Sequence, residues 1–438
     1  MRRVPSSIPA DCSADVSKRM TRWFRSLPDG ATAALKKRGC YRTEREILLR
    51  NKNDFVLDGR GALFRRTTYT PPARRYPKSN GILRVANLVD SEIRNLRIRG
   101  TNTKSDLSYI PRGVGSYRQE VEFDAGLGLH SLLRTVVSDI RITGVWGDGI
   151  YLAGRDQWGA RQSSQVVLRR ITIAKNGRAG IAINRSHHIL LDRVNVRLSR
   201  RSGINMEPDT KGETIHHIEI KNSIIGANLN AISAWGAGRV NEVDIHDNVI
   251  ARTGVPWVYV ASYKGLDRRN WTIRDNVVTW GLGSPVPALA FWNTEGIVIS
   301  GNRMSIATTQ SQLAVGLWNG STDARIECNA FLGARREFVA VEGGGTYVAA
   351  KNTMTPEPTG CAVSGLVRRR WTDVGIPRLA IGATTPLARY AKEKLGVASS
   401  GDTFDVPLQV AVQQLQEARG WPATGVIDRR EWRLIIKM

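Results

Sequence analysis

The chain has 438 residues and 48.4 kDa, enough for two or three domains or for one elongated β architecture. Its 41% apolar and 24% charged residues exclude a disordered polymer and set up a folded one. Net charge is +25, and only 14 of the 64 basic residues are Lys, an Arg bias that suits phosphate, carboxylate or nucleic-acid partners as well as a plain solvated surface.

No run of 18 apolar residues occurs, which excludes a spanning helix. The start, MRRVPSSIPADC, has charge but no apolar segment of the kind a secretory signal needs, so none is visible in this chain. Cys12 and Cys40 lie near the N-terminus, Cys328 and Cys361 near residue 345, and no C-x-x-C spacing favours zinc. Two sequence-local disulfides in an oxidising location are expected, with four buried thiols as the alternative.

In chain order, residues 13–27 place Val16, Met20, Trp23, Phe24 and Leu27 on one face of a short helix that would cap an open sheet end. Residues 103–128, with Gly113, Gly115, Gly126 and Gly128, read as a long loop. A repeat then organises the middle. Short alternating strands follow small residues in Gly149-Ile-Tyr-Leu152, Gly180-Ile-Ala-Ile183, Gly203-Ile-Asn-Met206, Ala231-Ile-Ser-Ala234, Trp257-Val-Tyr-Val260, Ala288-Leu-Ala-Phe291, Ala314-Val-Gly-Leu317 and Phe338-Val-Ala-Val341. Asn recurs at 248, 276, 302, 329 and 352, at intervals of 28, 26, 27 and 23 residues.

A coil of this length with two or three short strands cannot bury its apolar face alone and must stack on the next. The fold class expected is mainly β, a right-handed parallel β-helix in which Asn side chains bond along one corner. The alternation puts Ile150, Ile181, Ile204, Ile232, Val258, Leu289 and Val315 inside. After Pro356 the pattern stops, and from Pro386 helical stripes appear at Leu387, Tyr390, Ala391 and Leu395, then at Leu408, Ala411, Val412, Leu415 and Gln416. The domains drawn are 1–80, cap and first rungs; 81–362, β-helix; 363–385, linker with Arg368-Arg369-Arg370; and 386–438, three helices.

The motifs Ile8-Pro-Ala-Asp11, Pro28-Asp-Gly30, Cys40-Tyr-Arg42 and Phe55-Val-Leu-Asp-Gly-Arg-Gly-Ala-Leu63 resemble the opening of right-handed β-helix proteins of the pectate-lyase-like superfamily. Trp146-Gly-Asp-Gly-Ile-Tyr151, Asn176-Gly-Arg-Ala-Gly-Ile181 and Arg200-Arg-Ser-Gly-Ile-Asn-Met-Glu-Pro-Asp209 resemble actinobacterial and phage members. The resemblance spans residues 8–355 and speaks for fold, since that superfamily holds lyases, hydrolases, epimerases and non-catalytic proteins. The C-terminal order Gly401-Asp-Thr-Phe404, Ala411-Val412, Leu415-Gln416, Gly420-Trp421, Gly425-Val-Ile-Asp428 and Trp432 is similar to the small helical peptidoglycan-binding domain, with Leu415 where that family has an aromatic. The resemblance implies a cell-wall anchor.

With those interiors fixed, Tyr151, Asn184, Asn205, Glu207, Ser233, Trp235, Tyr259, Trp292, Trp318 and Glu342 are expected to point outward. Trp and Tyr rings there would stack on sugars, and Arg201, with Arg200, Arg185 and Arg178, would suit an acidic sugar or phosphate. Glycan cleavage takes two carboxylates. Glu207 and Asp209 are the first candidates and Asp148 the third, with Asp156 on a neighbouring rung; turn-capping carboxylates are the plain alternative. His187-His188 and His216-His217 read as turn residues with one ring in and one out, and no metal or cofactor is called for. No epimerase, polygalacturonase or calcium-lyase signature, phosphate loop or nucleophile elbow is found.

The function expected is an extracellular or virion-borne protein that binds and degrades bacterial envelope polysaccharide, anchored to peptidoglycan by its C-terminal piece. The alternative is a non-catalytic tail-spike or wall-binding protein. Spikes of this fold are often trimers, which leaves a homotrimer open, and nucleic acid comes last because no reading motif accompanies the charge.

Overall fold

Each coil closes because an apolar strand ends at a residue that can turn left-handed, and the next strand starts there. The structure, a computed structural model, describes residues 1–68, 81–102, 124–154, 161–227, 229–251, 256–261, 268–280, 287–306, 313–332, 334, 337–354, 361, 379–384, 386–399, 401–435 and 438. Asp156, most of the loop expected over 103–128 and most of the 363–385 linker lie outside them. The chain forms two compact units, Met1–Asp244 with Trp257–Trp271, and Ile245–Pro256 with Thr272–Met438.

In the first unit strands pair in parallel with strands one coil on. Ile150–Ala153, Ile181–Ile183, Ile204–Met206, Ile232–Ala234 and Val258–Val260 stack in order, with Ile150, Ile181, Ile204, Ile232 and Val258 in one register column. All five side chains are fully buried, as the alternation requires. Each contributes about 1.5–3 kcal/mol of burial, and a one-residue slip would turn the whole column outward.

Helix α1, Ser17–Ser26, covers the start of the sheet. Val16, Met20, Trp23, Phe24 and Leu27 are buried. Strand Ile47–Asn53 pairs on one edge with Leu83–Val89. Toward α1, the Leu48 N–H donates to Thr21 Oγ1 at 3.1 Å, and the Arg45 N–H donates to Ser17 Oγ at 3.2 Å. Buried Lys52 donates to the Leu27 carbonyl, placing a cation at the helix C-terminus. Cys12–Cys40 forms a disulfide, and Cys12 sits in a strand, Asp11–Asp15, that pairs with Cys40–Arg42.

In the second unit, Leu289–Trp292, Val315–Trp318 and Val339–Val341 stack in the same manner. The corner column is polar. Asp247, Asp275, Gly301, Cys328 and Lys351 all take a left-handed backbone, and the Asn that follows each turns inward. Asn276 donates its N–H and its Nδ2 to Asn302 Oδ1 at 3.0 and 2.9 Å, and Asn302 does the same to Asn329. Asn248 and Asn329 extend the ladder to Asn276 and Asn352. Spare Nδ2 capacity goes to backbone carbonyls such as Ile273 and Ser300. Cys328 bonds to Cys361.

The C-terminal helices are α2, Pro386–Leu395; α3, Val406–Glu417; and α4, Arg429–Ile435. Ala388, Ala391, Phe404, Leu408, Val412, Ile427 and Trp432 are buried among them. Asp405 caps α3 by accepting from the Leu408 N–H at 3.2 Å. Gln416, at 1% exposure, accepts from the Gly425 N–H at 2.9 Å and donates to Glu431 Oε1 at 3.1 Å, tying the Gly-Val-Ile-Asp turn to α3.

Replacing Asn302 by Ala removes the acceptor of the buried Asn276 N–H and the ladder bonds that Asn302 makes to Asn329. Urea unfolding should show a loss of about 2–4 kcal/mol, and Asn302→Asp, which keeps the acceptor but not the donors, should also destabilise.

Candidate functional site

The strand ladder of the first unit presents Tyr151, Ala182, Asn205, Ser233 and Tyr259 in one column, alternating with the buried Ile column. The chain leaving Met206 continues along its coil through Glu207-Pro208-Asp209: the Glu207 N–H donates to the Ile183 carbonyl of the coil before at 3.0 Å, and the Pro208 carbonyl accepts from the Gly238 N–H of the coil after at 3.1 Å. Gly236 makes the close approach possible: at φ 116° it leaves no room for a side chain, since a Cβ there would lie 2.3 Å from the Pro208 carbonyl oxygen. Arg268, fully buried, donates to the carbonyls of Gly238, Gly236 and Ala261 and pins the same segment, and burial lowers its guanidinium to about 10. The expected open polar face is only partly open: Tyr151, Trp235 and Tyr259 are half-buried, and three polar side chains are buried. Asn184, Asn205 and Ser233 are 5%, 8% and 4% exposed and belong to a hydrogen-bonded network with Glu207 and Asp209.

Asp148, just before its strand, is fully buried. It accepts from the Ala179 N–H at 2.8 Å and from Arg178 Nη1 at 2.9 Å. Arg178, itself buried, turns its other amino group to Glu207, so one guanidinium joins carboxylates that lie two coils apart. Glu207 also accepts from Asn205 Nδ2 at 2.8 Å. The Ser233 hydroxyl, 2.7 Å from Asn205 Oδ1 and 2.8 Å from the Ser202 hydroxyl, carries the network to the next coil.

Asp209 accepts from Asn184 Nδ2 at 2.7 Å. Burial pushes its carboxyl above the ordinary range; the Asn184 hydrogen bond opposes this, and the charges of Glu213 and Glu207 reinforce it. Glu213 behaves oppositely. Burial favours its neutral form, but hydrogen bonds from Arg185, the Asp209 N–H and Thr210 outweigh that and hold it below the usual carboxylate range. Arg185 Nη2 lies 2.5 Å from Glu213 Oε1. The structure thus gathers Asp148, Asn184, Asn205, Glu207 and Asp209 into one charged network. Glu213, Ser202 and Arg268 were missed, although the Thr210-x-x-Glu213 spacing is that of a capping box and could have flagged Glu213.

Around this network, Trp235 stacks on Tyr259 with ring centroids 5.4 Å apart, and Tyr151 lies 5.6 Å from His130. The Arg201 N–H donates to the Arg178 carbonyl at 3.1 Å. In the second unit Trp292 and Trp318 stand 4.3 Å apart on neighbouring coils, and Glu342 is exposed. The paired histidines depart from the expected one-in, one-out arrangement. His188 and His217 are left-handed, at φ 53°, which breaks strand alternation and brings both rings of each pair to the same side. His187 stacks on His216 at 4.8 Å and His188 on His217 at 4.3 Å. Burial and the neighbouring rings hold His187 and His216 below the usual imidazole range.

Coils of short parallel strands stacked this way make the fold a right-handed parallel β-helix. Among solved structures it is similar to the Dettilon tailspike protein, at 11% identity and TM-score 0.53 over 81% of this chain and 68% of that one. It is likewise similar to the endo-xylogalacturonan hydrolase of Aspergillus tubingensis, at 12% identity and TM-score 0.53 over 81% and 96%, and to a Thermotoga maritima exopolygalacturonase, at 12% and 0.51 over 82% and 92%. These identities speak for the fold. No protein-family model and no curated protein matches the chain, and no described helix is long and apolar enough to cross a membrane.

Asp148→Ala removes the fully buried carboxylate that pairs with the buried Arg178 cation, whose other carboxylate partner, Glu207, is partly exposed. Thermal or urea unfolding should register about 3 kcal/mol of destabilisation; a loss below 1 kcal/mol would show that Arg178 is satisfied without it.

Proposed function

We propose that the protein binds and cleaves bacterial cell-envelope polysaccharide, with Asp209 as the acid and Glu207 as its carboxylate partner. The observation that carries this reading is the pair of unlike environments two residues apart: a carboxyl that burial keeps toward its protonated form, and a carboxylate ion-paired to Arg178. Unequal carboxylates are what glycoside cleavage uses, one to protonate the departing oxygen and one to act at the anomeric carbon, directly or through water. Trp235 and Tyr259 offer a stacking platform for a sugar ring, and Arg200 and Arg201 suit a uronic or phosphorylated residue.

Two disulfides fit an oxidising, extracellular or virion-borne setting. The similar tailspike and glycan hydrolases support a polysaccharide as the ligand. The helices from Pro386 onward are proposed to hold peptidoglycan. A second reading, binding without cleavage, is favoured by the engagement of Glu207 with both Arg178 and Asn205, which leaves that carboxylate less available for chemistry.

Reducing-end release from purified envelope polysaccharides tests the two. Glu207→Gln and Asp209→Asn should each cut release at least 100-fold with unchanged circular dichroism. Wild-type activity should fall as pH rises through the elevated Asp209 value, because the acid form is then lost. Retention of a glycan with no product from the wild-type chain would establish the binding reading instead.

A further inference from the structure

The histidine corner of the first unit supports a site that the polysaccharide reading does not use. His216 and His217 sit on one coil, and Glu242 occupies the left-handed corner of the next, at φ 56°. His216 Nδ1 is 2.7 Å from His217 Nδ1, His217 Nδ1 is 2.8 Å from Glu242 Oε2, and His216 Nδ1 is 3.9 Å from that same oxygen. These three lengths form a right triangle with the right angle at His217. The midpoint of its long side is therefore equidistant from all three donors, at about 1.95 Å, close to the ~2.0–2.1 Å of a metal–imidazole bond.

Two donors facing each other across that midpoint and a third at right angles to both occupy three corners of a square. Tetrahedral zinc would want wider angles, whereas square-planar or tetragonal nitrogen and oxygen donors suit copper(II) and nickel(II). The donors are reachable, since the side chains of His216, His217 and Glu242 are 32%, 49% and 43% exposed. A second group, His187, His188 and His216, draws on the same His216 side chain, so the two groups compete for it.

We propose that His216, His217 and Glu242 form a tetragonal site for one copper(II) or nickel(II) ion, bridging two successive coils. The left-handed corner is the device that makes it. Along an ordinary strand, adjacent residues face opposite ways, and a His-His pair cannot chelate; at φ 53° both rings face the same side.

Calorimetric titration of the untagged full chain with NiCl2, and with copper(II) supplied as its glycine complex, should give a stoichiometry of one. Copper(II) paramagnetic resonance should show an axial spectrum with nitrogen hyperfine structure. His217→Asn, which keeps a residue tolerant of the left-handed corner, should weaken binding at least 100-fold, as should His216→Ala; Glu242→Gln should weaken it about 10-fold. Because each variant touches a partly exposed side chain, folding is checked by circular dichroism, and any one that folds suffices. Failure of the wild-type chain to bind either ion at 100 μM, or equal affinity in wild type and variants, would overturn the site. Tighter binding of zinc than of copper with an isotropic geometry would overturn the tetragonal assignment.

Discussion

Register between coils is the constraint from which the rest follows. A strand of three or four residues has no stability alone, and here its hydrogen bonds go to coils before and after it. Once Ile150, Ile181, Ile204, Ile232 and Val258 share a column, every neighbouring position is fixed, including the corners where the backbone turns left-handed. Corners become columns too. In the second unit one such column is Asn bonded to Asn; at a different corner of the first, histidines and Glu242 line up.

The charged network around Glu207-Pro208-Asp209 shows how such a scaffold gives nearby carboxyls unlike surroundings. Arg178 reaches one way to fully buried Asp148 and the other way to Glu207, while Asp209 is left with an amide donor and two nearby negative charges. One side chain's choice of partners thus gives carboxyls spaced by the coil repeat unlike surroundings.

Much of the architecture was legible in the sequence because it is periodic. The interior Ile column, the Asn ladder and the capping face of α1 each recur at a spacing that only one geometry satisfies. The site was legible in its residues but not in its arrangement. Asn205 and Ser233 alternate outward along their strands, yet they are buried and bonded to Glu207 and Ser202, partners on their own and neighbouring coils that strand alternation does not single out. The paired histidines were read with strand alternation, which the left-handed corner suspends; a His-His dipeptide repeated at successive corners was the available signal.

The hydroxyls of α1 have a consequence for assembly. A parallel sheet can in principle be lengthened by any chain that offers a strand to its first edge, and long stacked coils are well suited to such templating. At Arg45 and Leu48 the amide hydrogens are already given to Ser17 and Thr21, so a foreign strand arriving there finds these donors spent and a helix in its path. The helix therefore occupies the edge of strand Ile47–Asn53 where an added strand would pair, withholding those positions as a seed for end-to-end polymer growth.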